Sequence, residues 1–227
     1  MAIATPIALG NNNANSASPN ITNLEVSGDD RIIICGIETE GVGRTVDSLF
    51  YDDGAGGDQQ SFTQLGTYQI FDEGNRISFW YLVAPNTGAG RRIIGTLSSA
   101  TPWFIAAVYT TGAAQSSTFT TPTQAQDRTS PGADTDTSDT DGSWQMAVVF
   151  SLGTPFAISS GGVERQQWLT GTALGGICDS NSAINAPSSN TLNYTYGSVP
   201  ACWISAMMRP VAGGAETKLL TLMGVGT

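Results

Sequence analysis

The sequence predicts an all-β protein built as an antiparallel β-sandwich, and three observations carry that expectation. Asn75 to Ala84, NRISFWYLVA, alternates Ile77, Phe79, Tyr81 and Val83 with Arg76, Ser78, Trp80 and Leu82, then stops at PNTGAG, which is how a strand bounded by a turn reads. Four more segments repeat the pattern: Arg31 to Ile37, Phe62 to Ile70, Trp144 to Leu152 and Cys202 to Arg209. Between these runs the chain offers little that reads as a helix, and turn residues separate them, as in Ser27-Gly28-Asp29-Asp30, Asp52-Asp53-Gly54 and Asp72-Glu73-Gly74-Asn75.

Taken in order, residues 1–20 are small and polar after a brief apolar start and predict an extended N-terminal arm that orders only against a neighbour. Strands follow at Ile21 to Val26, Arg31 to Ile37, Thr45 to Tyr51, Phe62 to Ile70, Arg76 to Ala84, Arg91 to Leu97 and Pro102 to Thr110, at the short spacing of a sandwich or barrel. Thr111 to Ser143 is rich in Thr, Ser, Gln and Asp, with Phe119 its one large apolar residue, and predicts a long exposed excursion holding one edge strand. Strands resume at Trp144 to Leu152, Val163 to Leu169, Thr172 to Cys178, Thr191 to Tyr196 and Cys202 to Arg209, and Pro210 ends the body. The expected division is an arm over 1–20, one sandwich over 21–211 and a mildly apolar C-terminal tail over 212–227. No internal repeat of the propeller or solenoid kind is visible.

Of the 227 residues, 40% are hydrophobic and 12% charged, enough apolar material for a sizeable core under a neutral polar surface. Nine Lys and Arg against nineteen Asp and Glu leave a net charge of −10, which repels a phosphate backbone, and the scattered arginines form no patch for an anionic membrane. Neither nucleic acid nor membrane is an expected partner. The absence of histidine removes the commonest general base, the usual nucleophile triads and the commonest metal ligand. Cys35, Cys178 and Cys202 show no CxxC spacing; Cys35 reads as a buried thiol, and Cys178 and Cys202, near the ends of candidate strands, could pair if oxidised, with reduced thiols an equal expectation where no export signal is seen. Residues 1–20 lack the charged and apolar regions of a secretory signal, so folding in the cytosol is expected.

DDRIIICGIETEGVGRTVDSLFYDD, RISFWYLVAPNTG, PWFIAAVYT, DGSWQMAVVF and CWISAMMRPV resemble, in order and spacing, a family of β-sandwich modules found in phage virion proteins and in bacterial surface or secreted proteins. The resemblance spans roughly Leu24 to Val211 and is strongest at Arg31, Trp80 to Pro85, Asp141-Gly142 and Arg209-Pro210. It implies a jelly-roll-like or immunoglobulin-like sandwich that displays loops and carries no catalytic residues. A freestanding copy with two apolar ends looks like a virion component: a capsid decoration protein, trimeric, placed on the virion surface after assembly in the host cytoplasm and bound to the major capsid protein or other virion subunits. Ile3, Pro6, Ile7 and Leu9 of the arm and Leu219, Leu220, Leu222 and Met223 of the tail are the residues expected to make those contacts.

Three other groups of residues carry chemistry. Asp134, Asp136, Asp139 and Asp141 crowd GADTDTSDTDG, an oxygen-rich loop of the kind that binds calcium, although no EF-hand spacing is present and a solvated acidic loop is the simpler account; Asp52, Asp53 and Asp58 form a weaker set. No other cofactor is suggested. Glu38 and Glu40 fall on one face of an extended strand, as a glycosidase pair would, although a solvated loop edge explains them more simply. Trp103, Tyr109 and Trp168, with Tyr194 and Tyr196, would offer stacking faces to a cell-surface glycan if exposed, which makes a receptor- or carbohydrate-binding module the alternative function. Trp80, Trp144 and Trp203 lie inside strands and read as core or inter-subunit packing.

Overall fold

A computed structural model describes residues 2–41, 43–55, 57–71, 74–127, 131–153, 155–170, 173–197 and 200–212. The antiparallel all-β architecture is present, but it has four layers where a simple sandwich has two. The first half of the chain supplies β1 (Ile7–Ser16), β2 (Asn20–Val26), β3 (Ile32–Thr39), β4 (Val46–Asp52), β5 (Gln60–Ser61), β6 (Thr63–Phe71), β7 (Asn75–Val83), β8 (Gly88–Leu97) and β9 (Thr101–Thr110). An inner sheet in the order β1-β9-β3-β7-β6 is backed by an outer sheet in the order β2-β8-β4-β5. The second half supplies β10 (Thr123–Asp127), β11 (Gly132–Thr137), β12 (Trp144–Leu152), β13 (Ala157–Ser160), β14 (Val163–Thr170), β15 (Ala173–Asp179), β16 (Ser189–Thr195) and β17 (Ala201–Met208). Its inner sheet runs β10-β17-β12-β15-β14 and its outer sheet β11-β16-β13.

The two halves have the same topology. Each of β10 to β17 occupies the place in its sheets that β1, β2, β3, β4, β6, β7, β8 and β9 hold in theirs, and β5 alone lacks a counterpart. Each half is therefore a small double-sheet sandwich of the jelly-roll kind, with sequential strands passing between its sheets. The inner sheets pack face to face: β1 lies against β14, β9 against β14 and β15, β3 against β15 and β12, β7 against β12 and β17, and β6 against β17 and β10. That order is unchanged when the halves are exchanged, so a pseudo-two-fold axis passes between β3 and β12.

Gly36 and Val148 meet at that axis. A Cβ on Gly36 would lie 2.7 Å from Val148 Cγ1, so one half gives up a side chain where the other fills the space. At the rim, Asn11 of β1 donates its amide to the Gln167 carbonyl of β14, and Gln124 of β10 donates to the Thr67 carbonyl of β6 at 2.9 Å. These contacts are equivalent, because Asn11 pairs with Ala106, itself opposite Gly36, while Gln124 pairs with Ile204, itself opposite Val148.

Three apolar cores follow from four layers. Ile32, Ile34, Ile77, Phe79 and Phe104 meet Met146, Val148, Phe150, Cys202 and Ile204 between the inner sheets. Ile33, Cys35, Ile37, Leu82 and Trp103 pack under the first outer sheet, and Val149, Cys178, Tyr194 and Trp203 under the second. Every residue of β3 and β17 is buried, because both faces of the inner sheets are covered. Cys178 and Cys202 thus face opposite sides of one sheet; all three cysteines are free and buried, and the two do not pair.

Two expected regions differ. The N-terminal residues expected as a free arm instead contain β1, paired with β9 from Ile7↔Tyr109 to Ser16↔Thr101, so the strand is satisfied within the chain. Thr111 to Ser143 is not an exposed excursion but contributes β10 and β11, one edge strand of each sheet of the second half, with Gly132, Asp134 and Asp136 turned inward in strict alternation. The expected tail contacts Leu219, Leu220, Leu222 and Met223 lie outside the described residues.

Candidate functional site

Arg31 with the turn after β7, and Arg209 after β17, act as clasps of the fold. Arg31 donates from Nε to the Pro85 carbonyl at 2.9 Å, the Ala84 amide returns a bond to the Arg31 carbonyl at 2.9 Å, and Gln60 holds the same turn through Ala84 and Asn86. Arg209 grips Asp139 and the carbonyls of Ser117 and Phe119, tying the end of β17 to two loops. Near it, Ala114 to Ser117, Thr140 and Arg209 to Ala212 line an open groove of about 420 Å³. The guanidinium there is already spent on its internal partners.

The four aspartates proposed for calcium divide. Alternation on β11 aims Asp134 and Asp136 into the space between the second pair of sheets, where they are 6% and 5% exposed. Thr123 Oγ1 donates toward Asp134 Oδ1 at 2.8 Å and Asp136 Oδ1 at 3.1 Å, and Gln145 Nε2 lies 3.1 Å from an oxygen of each. Ser205 Oγ sits 2.5 Å from Asp136 Oδ2 and also donates to Asp134. Burial, with the neighbouring Asp134 charge adding to it, holds the Asp136 carboxyl above the usual carboxylate range. Asp139 goes instead to Arg209, which holds it below that range, and Asp141 accepts the Ala186 amide at 2.9 Å. The four carboxylates therefore form no joint calcium site, and among the described residues no three His, Cys, Asp or Glu side chains converge as metal ligands. In the weaker set, Asp52 pairs with Arg92 and Asp58 with Arg91, each at 2.7 Å.

Glu38 is neither a loop-edge residue nor half of an accessible acid pair. It is fully buried on β3, facing the second inner sheet, with Ile77 of β7 and Phe104 of β9 directly beside it in the ladder. Neither carboxyl oxygen has a hydrogen-bond partner. Burial pushes its carboxyl well above the usual carboxylate range, and the Glu40 charge pushes the same way. The position that corresponds to Glu38 across the pseudo-axis, two residues beyond Val148, is Phe150. Glu40 lies at the strand end, where its amide bonds the Pro102 carbonyl at 3.0 Å. A glycosidase needs both carboxyls on one substrate, and Glu38 is walled off from any.

Three of the proposed stacking residues, Trp103, Tyr194 and Tyr196, are also internal. Trp103 is 1% exposed and donates from Nε1 to Ser16 Oγ at 3.0 Å, Tyr194 and Tyr196 are buried, and Tyr109 is half-buried against the first outer core. The Trp168 side chain lies outside the described residues, although its backbone is in β14. Trp80, Trp144 and Trp203 are core residues, as read from the sequence.

Of the arm residues, Ile3 and Pro6 are buried within the chain and Leu9 packs on the first outer core. Ile7 is the one exposed large apolar side chain among the described residues, at 54%. It opens the unpaired side of β1, a feature that sequence reading missed because it placed no strand there. No family model, curated protein or solved structure matches this chain.

Proposed function

We propose that this chain is a structural subunit of a phage particle surface, of the decoration type, which docks on the major capsid protein or on other virion subunits through its sheet edges. The observation that carries the reading is the fusion of two jelly-roll-like sandwiches into one four-layer block in which the acids Glu38, Asp134 and Asp136 are buried. Double-sheet jelly rolls recur in viral capsid and lectin domains, so the architecture suits either an assembly or a glycan-binding role. Burial of Trp103, Tyr194 and Tyr196 favours assembly over a glycan platform. An enzymatic role finds no support in Glu38 or in the Asp134 and Asp136 pair, since none of these carboxylates faces solvent.

Affinity for a particle would come from many symmetric copies, each contributing a modest edge contact. The test is to purify particles that contain this polypeptide, quantify it by mass spectrometry and locate it by cryo-electron microscopy. The reading expects density at symmetry-related surface positions. Recovery of the chain only in the soluble fraction, or glycan-array binding by the isolated protein, would reject it.

A further inference from the structure

We propose that β1 is a self-association edge, pairing antiparallel with β1 of a second copy of this chain. The inference rests on the geometry of β1 and stands apart from the virion reading. β1 is ten residues long and pairs with β9 on one side only; no other strand pairs with it among the described residues. Residues 11–15 are exposed throughout. A long uncovered edge is a template for another strand unless it is blunted by charge, proline, shortness or a bulge.

The other edges are blunted, and the pseudo-symmetry makes the comparison direct. β10, the counterpart of β1, has five residues, follows Pro122 and ends in Asp127. β14 carries Glu164 and Arg165, and its Gln167 carbonyl is taken by Asn11. β6 is uncharged but breaks register between Leu65 and Gln69, and Gln124 occupies its Thr67 carbonyl. Among the outer edges, β2 ends near Glu25, β11 holds Asp134 and Asp136, and β13 and β5 have four and two residues. β1 has a shift at Ala8/Gly10 and then runs regularly from Gly10 to Ser16.

Charge selects a second copy as the occupant. The chain carries −10, yet residues 1–24 contain no Asp, Glu, Lys or Arg, so two copies can meet along β1 with no like charges opposed in that segment. Full antiparallel overlap also brings the exposed Ile7 of each copy beside Ser16 of the other. The contact is isologous and closes as a two-fold pair, joining two five-stranded inner sheets into one of ten strands.

Sedimentation velocity on the intact protein at about 100 µM should show a dimer. Asn13→Asp and Asn13→Lys should each weaken self-association about tenfold at low ionic strength, with the loss shrinking as salt rises, and mixing the two should restore a heterodimer. That restoration separates an edge contact from misfolding, which mixing would not repair. Because all three native cysteines are buried, Asn12→Cys should also cross-link as a dimer under mild oxidation, while Ser159→Cys, on β13, should not. A monomeric wild type at that concentration, failure of the mixed variants to associate, or a monomer that pairs β1 only with a different protein would each overturn the proposal.

Discussion

Replacing Glu38 by leucine should stabilise this protein, which is the reverse of what a core substitution usually does. Both Glu38 oxygens are buried without partners, and an unsatisfied buried polar group costs about 1–3 kcal/mol. Leucine removes both groups and leaves a small gap costing roughly 1 kcal/mol, so a net gain of about 1–5 kcal/mol is expected near pH 5. The gain grows with pH. The folded pKa of Glu38 lies above the unfolded value near 4.3, so its contribution is complete below that value and is lost as pH rises through the folded pKa, at up to about 1.4 kcal/mol per pH unit. Urea titrations of wild type and Glu38→Leu at pH 5 and pH 8 read the difference, and the midpoint temperature should rise by about 2–4 °C per kcal/mol. Glu38→Gln should flatten the pH dependence while gaining less, since the amide remains unsatisfied. A Glu38→Leu protein less stable than wild type at pH 8 would refute the reasoning and point to a partner for the carboxylate.

Asp136→Asn should flatten the fall of stability between pH 4 and pH 8, because burial and Asp134 raise the Asp136 pKa and the wild type loses that contribution as pH increases; the same denaturant titrations test it. Arg165→Met should cost about 3–5 kcal/mol, because Asp179 is fully buried and pairs with Arg165 at 2.5 Å, and thermal unfolding of Arg165→Met with Asp179→Asn should recover part of the loss. Gly36→Ala should destabilise by about 1–3 kcal/mol by forcing a Cβ to 2.7 Å from Val148 Cγ1, and adding Val148→Ala should return most of it in a double-mutant cycle. Trp103→Ala should cost about 3–5 kcal/mol of stability and leave glycan-array signals unchanged, since the ring is internal.

Much of the strand content was legible because alternation and turn residues are local signals. The layer number was also written in the chain, in a form easily passed over. IIICGI in β3 and ACWISAMM in β17 are continuous apolar runs, which sheets covered on both faces require and a two-layer sandwich does not. The duplication stayed hidden because corresponding positions share a place without sharing a residue: Gly36 answers to Val148, and Glu38 to Phe150. β11 escaped because its inward residues are Gly132, Asp134 and Asp136, whose burial depends on Thr123, Gln145 and Ser205 arriving from distant strands. β1 escaped because an asparagine run has low strand propensity and is held by its ladder with β9.

The covering of each inner sheet by the other also has a temporal side. The second half is the cap for the first, and its last inner strand, β17, ends at Met208, about a hundred residues after β9 is complete. At ribosomal rates of about 5–20 residues per second, Ile32, Ile34, Phe79 and Phe104 wait roughly 5–20 s for their counterparts. During synthesis the nascent chain therefore shows its greasiest surface to the cell, and crowded neighbouring polysomes give one copy's front half the chance to capture another's back half.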